Sequence, residues 1–213
     1  MAWQLLLAQA CLVVGGFVAL TGYVELRAGL RVRSARKNGL KGQGLVQAQA
    51  RVRADSGSIT APLSGQPAVM FHIGLSRRHV RDTTSRSVEV FLEQRPFSLV
   101  DDHGESLRVD KGAVPILGLV PLSRPLPFLP ASIAGLLVQR FGKKGALWAH
   151  DYVVRATEAA LIDGASVHVL LQDGVAQMVS LRPLDDVAAV SLQRGGLRLL
   201  VGALLTVGFL LLR

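Results

Sequence analysis

The sequence predicts a mainly β fold: an antiparallel β-rich domain, barrel-like or sandwich-like and carrying one short helix, with a transmembrane helix at each end. Two observations predict it. Apolar runs of helical length lie near both ends of the chain, and the stretch between them alternates apolar and polar residues and is rich in turn motifs. We divide the chain into a transmembrane helix (1–26), a basic juxtamembrane segment (27–41), a β-rich domain (42–191) and a second transmembrane helix (197–212).

The N-terminal run is the longest apolar stretch. No charged side chain occurs between Trp3 and Val24, and the first acidic residue is Glu25. About twenty apolar residues in a helix rise roughly 30 Å, the thickness of the hydrocarbon core of a bilayer. A cleaved signal peptide is the alternative, but it would place Lys or Arg before the run and a small-x-small motif after it. Neither is evident, so we predict a membrane span.

Basic residues follow this span with no acid between them. They are Arg27, Arg31, Arg33, Arg36, Lys37 and Lys41. Such a cluster normally stays on the cytoplasmic side of a membrane, and each charge near anionic head groups contributes about 1 kcal/mol to binding there. The sequence therefore predicts an integral membrane protein with its domain in the cytoplasm. The six residues are also a candidate lipid-facing surface, although a plain stop-transfer flank is the simpler interpretation.

Strand patterns fill the predicted β domain. Residues 44–54 alternate apolar and polar side chains, and 55–58 form a turn. Hairpin turns are predicted at His103-Gly104 and Asp173-Gly174. The remaining strand patterns lie at 68–75, 87–92, 97–100, 106–109, 113–120, 147–157, 165–171 and 176–181. Residues 158–164 read as a turn, and Asp185-Asp186 as the start of a polar link.

The segment 121–145 differs from its surroundings. Five prolines lie between Pro115 and Pro130, and a short helix is predicted at 131–141, with Ile133 on its apolar face. We expect this helix to pack on the domain; contact with a bilayer surface is the alternative.

The second apolar run is short. Residues 197–212 would rise about 24 Å in a helix, and only Arg198 interrupts them, near one end where it can snorkel. We predict a second span, so that the two helices form a hairpin; a helix lying shallow in the interface is the alternative. Small residues at Gly15, Ala19 and Gly22 would let the helices pack closely.

Charge and cysteine content restrict the function classes. The net charge is +9, which favours an anionic membrane surface beside the span; nucleic acid is disfavoured because aromatic residues are scarce. The single cysteine, Cys11, excludes both an intrachain disulfide and Cys-based zinc sites. The five histidines match no metal-binding motif, and we predict no metal and no cofactor.

Candidate chemistry is sparse as well. Ser64 lies in Pro-Leu-Ser-Gly, which lacks the Gly-x-Ser-x-Gly pattern of a hydrolase. Asp101, Asp102 and Glu105 form an acidic tip that we expect to be solvated. A second basic run is expected in an exposed loop between strands; it contains Arg77, Arg78, Arg81 and Arg86. We predict no catalytic residue.

The order of motifs is more informative than any single one. A span and a basic flank precede Thr60-Ala-Pro-Leu-Ser-Gly-Gln-Pro-Ala-Val, then Phe97-Ser-Leu-Val-Asp-Asp-His-Gly-Glu-Ser-Leu-Arg-Val, then Glu158-x-x-Leu-x-x-Gly-x-x-Val-x-Val and a last span. Over roughly 40–185 and both spans, this order resembles the GIDE-type domain, which lies beside a membrane in mitochondrial ubiquitin ligases and in prokaryotic membrane proteins. The chain departs from that family at Ala68, where the family has a cysteine, and it has no RING, so the resemblance implies no ligase activity. It implies a β-rich domain that recognises or scaffolds membrane-associated partners. In the mitochondrial relatives the domain lies in the intermembrane space, whereas the basic cluster here favours the cytoplasm.

The predicted function is a membrane-anchored, non-catalytic binding or scaffolding module that recognises an unknown membrane-associated protein or a lipid. The candidate partner loop contains Pro62, Leu63, Ser64, Gly65 and Pro67. One alternative is a membrane-bound hydrolase using Ser64 or a His–carboxylate pair. The other is an anionic-lipid surface binder using the two basic runs.

Overall fold

The computed structural model describes residues 2–79, 81, 86–110, 112, 114–126, 131, 133, 135 and 152–212. Two long helices flank a set of strands, and more of these residues lie in strands than in helices, which confirms the predicted mainly β class with terminal helices. The elements are α1 (Ala2–Ser34), β1 (Arg36–Lys37), β2 (Leu45–Ala54), β3 (Ile59–Thr60), β4 (Pro67–His79), β5 (Arg86–Gln94), β6 (Phe97–Val100), β7 (Ser106–Val109), β8 (Ile116–Leu117), β9 (Leu122–Leu126), β10 (Tyr152–Ile162), β11 (Ser166–Gln172), β12 (Val175–Ser180) and α2 (Leu184–Leu212).

The strands form two curled sheets. One has the order β7-β6-β2-β11-β12-β8, with β1 also paired to β2; the other has the order β3-β4-β10-β9, with β5 also paired to β4. Most of the pairings are antiparallel, as predicted, but the short strands β1 and β8 pair in parallel with β2 and β12.

The chain divides into two compact units. The first contains residues 1–48, 168–175 and 182–213; the second contains 49–167 and 176–181. The first therefore includes both long helices and the tip of the β11–β12 hairpin, and the second includes most of the strands.

The two helices of the first unit lie against each other along a line of small residues. On α1 these are Gly15, Gly22 and Gly29; on α2 they are Ala188, Gly195 and Gly202, again seven residues apart. A Cβ atom on Gly195 would lie 2.6 Å from the backbone nitrogen of Leu26, and one on Gly202 would lie 2.7 Å from that of Ala19. Because the glycines carry only a hydrogen atom in place of a side chain, the backbones of the two helices can contact each other directly. A seven-residue repeat is typical of left-handed helix pairs.

The outer faces of both helices are apolar and exposed. Large exposed side chains include Val13, Phe17, Leu20, Leu197, Leu200, Leu204 and Leu211. Both helices are long and apolar enough to cross a membrane, over Gln9–Ser34 and Leu184–Phe209, by length and composition. So wide an exposed apolar surface is unusual for a protein that meets only water.

Hydrogen bonds join the C-terminal end of α1 to β2 and β11 in this unit. Gln47 at the start of β2 donates its side-chain amide to the carbonyl of Val32 at 2.7 Å. Arg31 donates to the side-chain oxygen of Gln172 on β11. At the β11–β12 turn, Asp173 has φ 53° and Gly174 has φ 78°, the conformation that the predicted Asp-Gly hairpin requires.

The second unit has one continuous apolar core beneath β4 and its neighbours. Its buried members are Ile59, Ala61, Ala68, Phe71, Ile73, Leu75, Phe91, Ile133 and Ala156, with Leu63, Ala160 and Ile162 packed against them. Ile133 is fully buried, and residues 131, 133 and 135 are helical, so the start of the predicted helix packs on the domain. Residues 132, 134 and 136–141 of that helix lie outside the described residues.

Both long helices extend beyond the predicted spans. The first helix continues past residue 26 to Ser34, so Arg27, Arg31 and Arg33 are helical. The second helix begins at Leu184; Asp185 and Asp186 form its first turn, where acids favour the helix dipole, rather than a polar link.

Two strand predictions also need correction. Residues 158–162 belong to β10, not to a turn, because they pair with β4 throughout and Glu158 also pairs with β9. The proline-rich segment contains β9, an edge strand on which a proline is tolerated, and the strand predicted at 113–120 is reduced to β8.

Candidate functional site

The candidate partner loop connects β3 to β4 in the second unit. The strands pair Ile59 with Ala68 and Thr60 with Pro67, so the loop closes tightly. Gly65 donates its backbone N–H to the carbonyl of Ala61 at 2.8 Å, and Ala61 donates to Gln66 at 3.0 Å. Gly65 has φ +72°, a conformation that favours glycine. Four of the five predicted loop residues therefore lie in one compact turn, and Pro67 begins β4.

A buried carboxylate holds the outer part of this loop. Glu158 on β10 is 2% exposed. Its Oε2 accepts the backbone N–H of Leu63 at 2.5 Å, and its Oε1 accepts that of Ser64 at 3.1 Å. A buried acid is costly unless it is hydrogen-bonded, and charge-assisted bonds of this kind are about twice as strong as neutral ones. The loop conformation is therefore fixed from beneath by both oxygens of one side chain.

The loop side chains divide into an anchored set and a presented set. Leu63 is half-buried and packs against the core. Ser64, Gln66 and Pro67 are exposed. The turn thus keeps one apolar side chain inside while it offers a hydroxyl, an amide and a proline ring to the outside.

The role of Glu158 was missed in the sequence. The sequence predicts a turn at this residue, yet in the structure its carboxylate lies beneath a loop that is 94 residues earlier in the chain. The available signal was a single acid beside the apolar residues Ala159, Ala160, Leu161 and Ile162. A lone carboxylate in such a strand must find buried donors. The structure brings together two of the motifs that carried the family resemblance, the Pro-Leu-Ser-Gly loop and the Glu158 segment.

The hydrolase alternative gains nothing from this geometry. Within the described residues the Ser64 hydroxyl makes no hydrogen bond, and only its backbone N–H is engaged. Glu158, the acid beneath it, already uses both oxygens on backbone amides. A serine nucleophile requires a base within hydrogen-bond reach, and the described part of the chain places none there.

The sequence predicts that the acidic tip (Asp101, Asp102 and Glu105) is solvated, but Asp101 is buried. Asp101 is only 8% exposed. Its Oδ1 accepts the backbone N–H groups of His103 at 3.0 Å and Glu105 at 2.9 Å, so this side chain closes the β6–β7 turn. Asp102 remains exposed.

Near this turn, a shallow groove of about 500 Å³ is lined by charged side chains of both signs: Arg51, Arg53, Asp101, Asp102 and Asp163.

The juxtamembrane basic residues all belong to the first unit, and all six are exposed. Arg31 contacts Gln172, and Lys37 lies 3.5 Å from Asp185. The side chains of Arg27, Arg33 and Arg36 make no hydrogen bond or ion pair within the described residues. The predicted cluster is therefore partly engaged and partly free.

The second basic run does not form a loop throughout. Arg77 and Arg78 lie on β4 and Arg86 on β5, with Arg77 opposite Arg86 in the register. The side chains of Arg78 and Arg81 are exposed. This run therefore lies at the end of a hairpin, and of its predicted loop residues only Arg81 is outside a strand.

Among the described residues, no group of three His, Cys, Asp or Glu side chains is placed to hold a metal ion. Neither a family model, nor a curated protein, nor a solved structure matches the chain. The resemblance to the GIDE-type domain therefore stays a prediction from the motifs and their order.

Proposed function

We propose that this chain is a non-catalytic, membrane-anchored binding module that recognises a membrane-associated protein through the loop at 62–67. The anchor is the pair of helices α1 and α2, whose outer faces are apolar and whose inner faces are closed by small residues. The single cysteine leaves no means of building a Cys-rich RING, so the module itself is not a ubiquitin ligase.

The observation that carries the proposal is the hydrogen bonding of Glu158 to Leu63 and Ser64. A surface turn that only connects two strands does not need a buried acid beneath it. A turn held in one conformation loses less conformational entropy when it binds, and such preorganisation raises affinity. The exposed Ser64 and Gln66 side chains supply donors and acceptors, and Pro67 supplies a rigid apolar surface.

The proposal includes a location: the domain in the cytoplasm of a bacterial cell, with the helices in the inner membrane. Support comes from the basic residues at 27–41, which lie directly after the apolar part of α1. Residues 182–213 add Arg182, Arg194 and Arg198 before the apolar end of α2 and Arg213 after it, so three of these four basic residues lie on the same side of the apolar parts as those that follow α1.

The test is photocrosslinking in intact cells. A photoreactive residue is placed at Ser64, and a matched control is placed at His103, an exposed position on the β6–β7 turn of the same unit. We expect a discrete crosslinked protein from position 64 that is absent from position 103. Glu158→Ala, which releases the loop amides, is expected to abolish this product while the chain stays in the membrane fraction.

Two results would contradict the proposal. Identical products from positions 64 and 103 would mean that the loop has no special role. An unchanged product in Glu158→Ala would mean that the loop conformation is irrelevant to recognition. Circular dichroism of the purified variant separates loss of the loop from loss of the fold.

A further inference from the structure

The apolar part of the helix pair ends at an ion pair between the helices. Arg198 on α2 donates to Glu25 on α1 at 2.5 Å. No charged residue precedes Glu25 on α1, and none lies between Arg198 and the end of α2. Charges in a bilayer core are costly and pair with one another or reach toward the interface. The Glu25–Arg198 pair therefore marks the boundary between hydrocarbon and head groups.

An aromatic side chain lies at the same level. Tyr23, two residues from Glu25, is 51% exposed on the outside of the pair. Tyrosine is enriched where membrane meets water, because its ring is apolar and its hydroxyl is polar. It supports the same position for the boundary.

Four exposed arginines lie at or beyond this boundary, and we name them the arginine belt: Arg27, Arg33, Arg36 and Arg194. At 1.5 Å per helical residue, Arg27 lies about 3 Å past Glu25 and Arg33 about 12 Å, whereas the head-group layer is roughly 5–8 Å deep. Arg194 adjoins Gly195, which packs against Leu26, so it lies at the level of Leu26. Long arginine side chains can reach the head groups from these positions.

The belt has no partner among the described residues. Its four side chains make no hydrogen bond and no ion pair with any described residue, whereas Arg31, Lys37 and Arg198 each have one. The first unit carries ten of the 24 lysines and arginines but only four of the 15 acidic residues. The first unit thus has an excess of six basic over acidic residues (ten minus four), and the four belt arginines are not paired with any described acidic residue.

We infer that the arginine belt binds the phosphate groups of anionic lipids in the leaflet next to the domain. A guanidinium matches a phosphate with two parallel hydrogen bonds, and the belt surrounds the point at which the helices leave the hydrocarbon. The inference rests on the membrane anchoring proposed above, but it does not depend on the loop at 62–67.

The experiment uses the purified full chain in a neutral detergent. Dioleoylphosphatidylglycerol and dioleoylphosphatidylcholine are titrated separately, and bound lipid is counted by native mass spectrometry. In one variant the belt is neutralised by Arg27→Gln, Arg33→Gln, Arg36→Gln and Arg194→Gln. The matched control removes the same charge from exposed arginines of the second unit, by Arg51→Gln, Arg53→Gln, Arg95→Gln and Arg155→Gln.

We expect the unaltered chain and the control to prefer phosphatidylglycerol, with each belt arginine contributing about fivefold to that preference. The belt variant is expected to lose nearly all of it while still being extracted only by detergent. Equal binding of the two lipids by the unaltered chain would overturn the inference, as would an unchanged preference in the belt variant. Displacement of the lipid by millimolar inorganic phosphate would identify a free anion as the ligand instead. Extraction of the unaltered chain from membranes without detergent would overturn the proposed membrane anchoring. This result differs from a loss of lipid preference, which would overturn only the role of the arginine belt.

Discussion

Gly22 on α1 and Gly195 on α2 face each other with no room for a side chain on either. A Cβ atom on Gly22 would lie 2.9 Å from the carbonyl oxygen of Gly195, and one on Gly195 would lie 2.8 Å from that of Gly22. Both obstacles are backbone atoms, which cannot rotate away as the end of a side chain can. The contact therefore sets how close the two helices lie.

We expect Gly195→Ala to separate the helices. Overpacking of this kind costs about 1–3 kcal/mol, equivalent to a fall of roughly 2–12 °C in the Tm of a chain of this size. The neighbouring Gly196 has no atom within 4 Å of an added Cβ, so Gly196→Ala is the control. It should leave Tm unchanged or raise it, because alanine is the better helix former. Thermal unfolding in mild detergent measures the Tm of both variants. Equal Tm values would contradict the close contact between the helices at Gly195.

Glu158 provides a second prediction, on the stability of the domain. Glu158→Ala leaves two part-buried backbone N–H groups without their acceptor, and each costs at most about 1–3 kcal/mol, the penalty for a fully buried group. Glu158→Gln keeps one acceptor oxygen and should lose about half as much. Hydrogen exchange at Leu63 and Ser64 should accelerate in the alanine variant before the rest of the sheet is affected.

The control for Glu158 is Glu93→Ala on β5, a half-buried acid in the same sheet. We expect little change in exchange at the loop in that variant. Slow exchange at Leu63 in Glu158→Ala would show that the loop is held by its own backbone bonds, such as the one from Gly65 to Ala61, and not by the carboxylate.

Much of the fold follows from local sequence, because the local signals agree with the tertiary pairing. Alternation at 44–54 predicts β2, and Asp173-Gly174 predicts the β11–β12 turn, where the structure has the required positive φ angles. Apolar composition alone indicates both helices. In each of these places, propensity, burial and turn chemistry favour the same structure.

The failures occur where distant partners decide the conformation. Residues 158–162 contain Glu and two alanines, which have weak strand propensity, yet all of them pair with β4, and Glu158 also pairs with β9. The seven-residue spacing of Gly15, Gly22 and Gly29 was present in the sequence, but it becomes meaningful only beside Ala188, Gly195 and Gly202. The turn residues at 62–67 predict the candidate loop. They do not predict that Glu158 holds it, because a contact between residues 94 positions apart leaves no local pattern in the sequence.

The Glu25–Arg198 pair makes a prediction about coupling between the helices. Arg198→Gln alone leaves the Glu25 side chain without its donor, and Glu25→Gln alone leaves Arg198 without its acceptor. The double variant removes both charges, so it should be less destabilised than the sum of the single variants by about 1 kcal/mol, the scale of polar contacts between membrane helices. The free energies of unfolding of the unaltered chain, the two single variants and the double variant complete this double-mutant cycle. Strict additivity would mean that the two side chains do not interact in the folded protein.

The last prediction concerns which side of the membrane carries the domain. Cys11→Ser removes the natural cysteine, and single cysteines are then introduced by Ser56→Cys or His103→Cys, both at exposed positions of the second unit. Because basic residues flank the apolar parts of both helices on the domain side, we expect a membrane-impermeant maleimide to label either cysteine only after the cells are opened. The Cys11→Ser protein without a new cysteine is the control and should stay unlabelled. Labelling in intact cells would put the domain outside the cytoplasm. The partner of the Ser64 loop would then have to be an envelope protein, and the arginine belt would face the opposite leaflet.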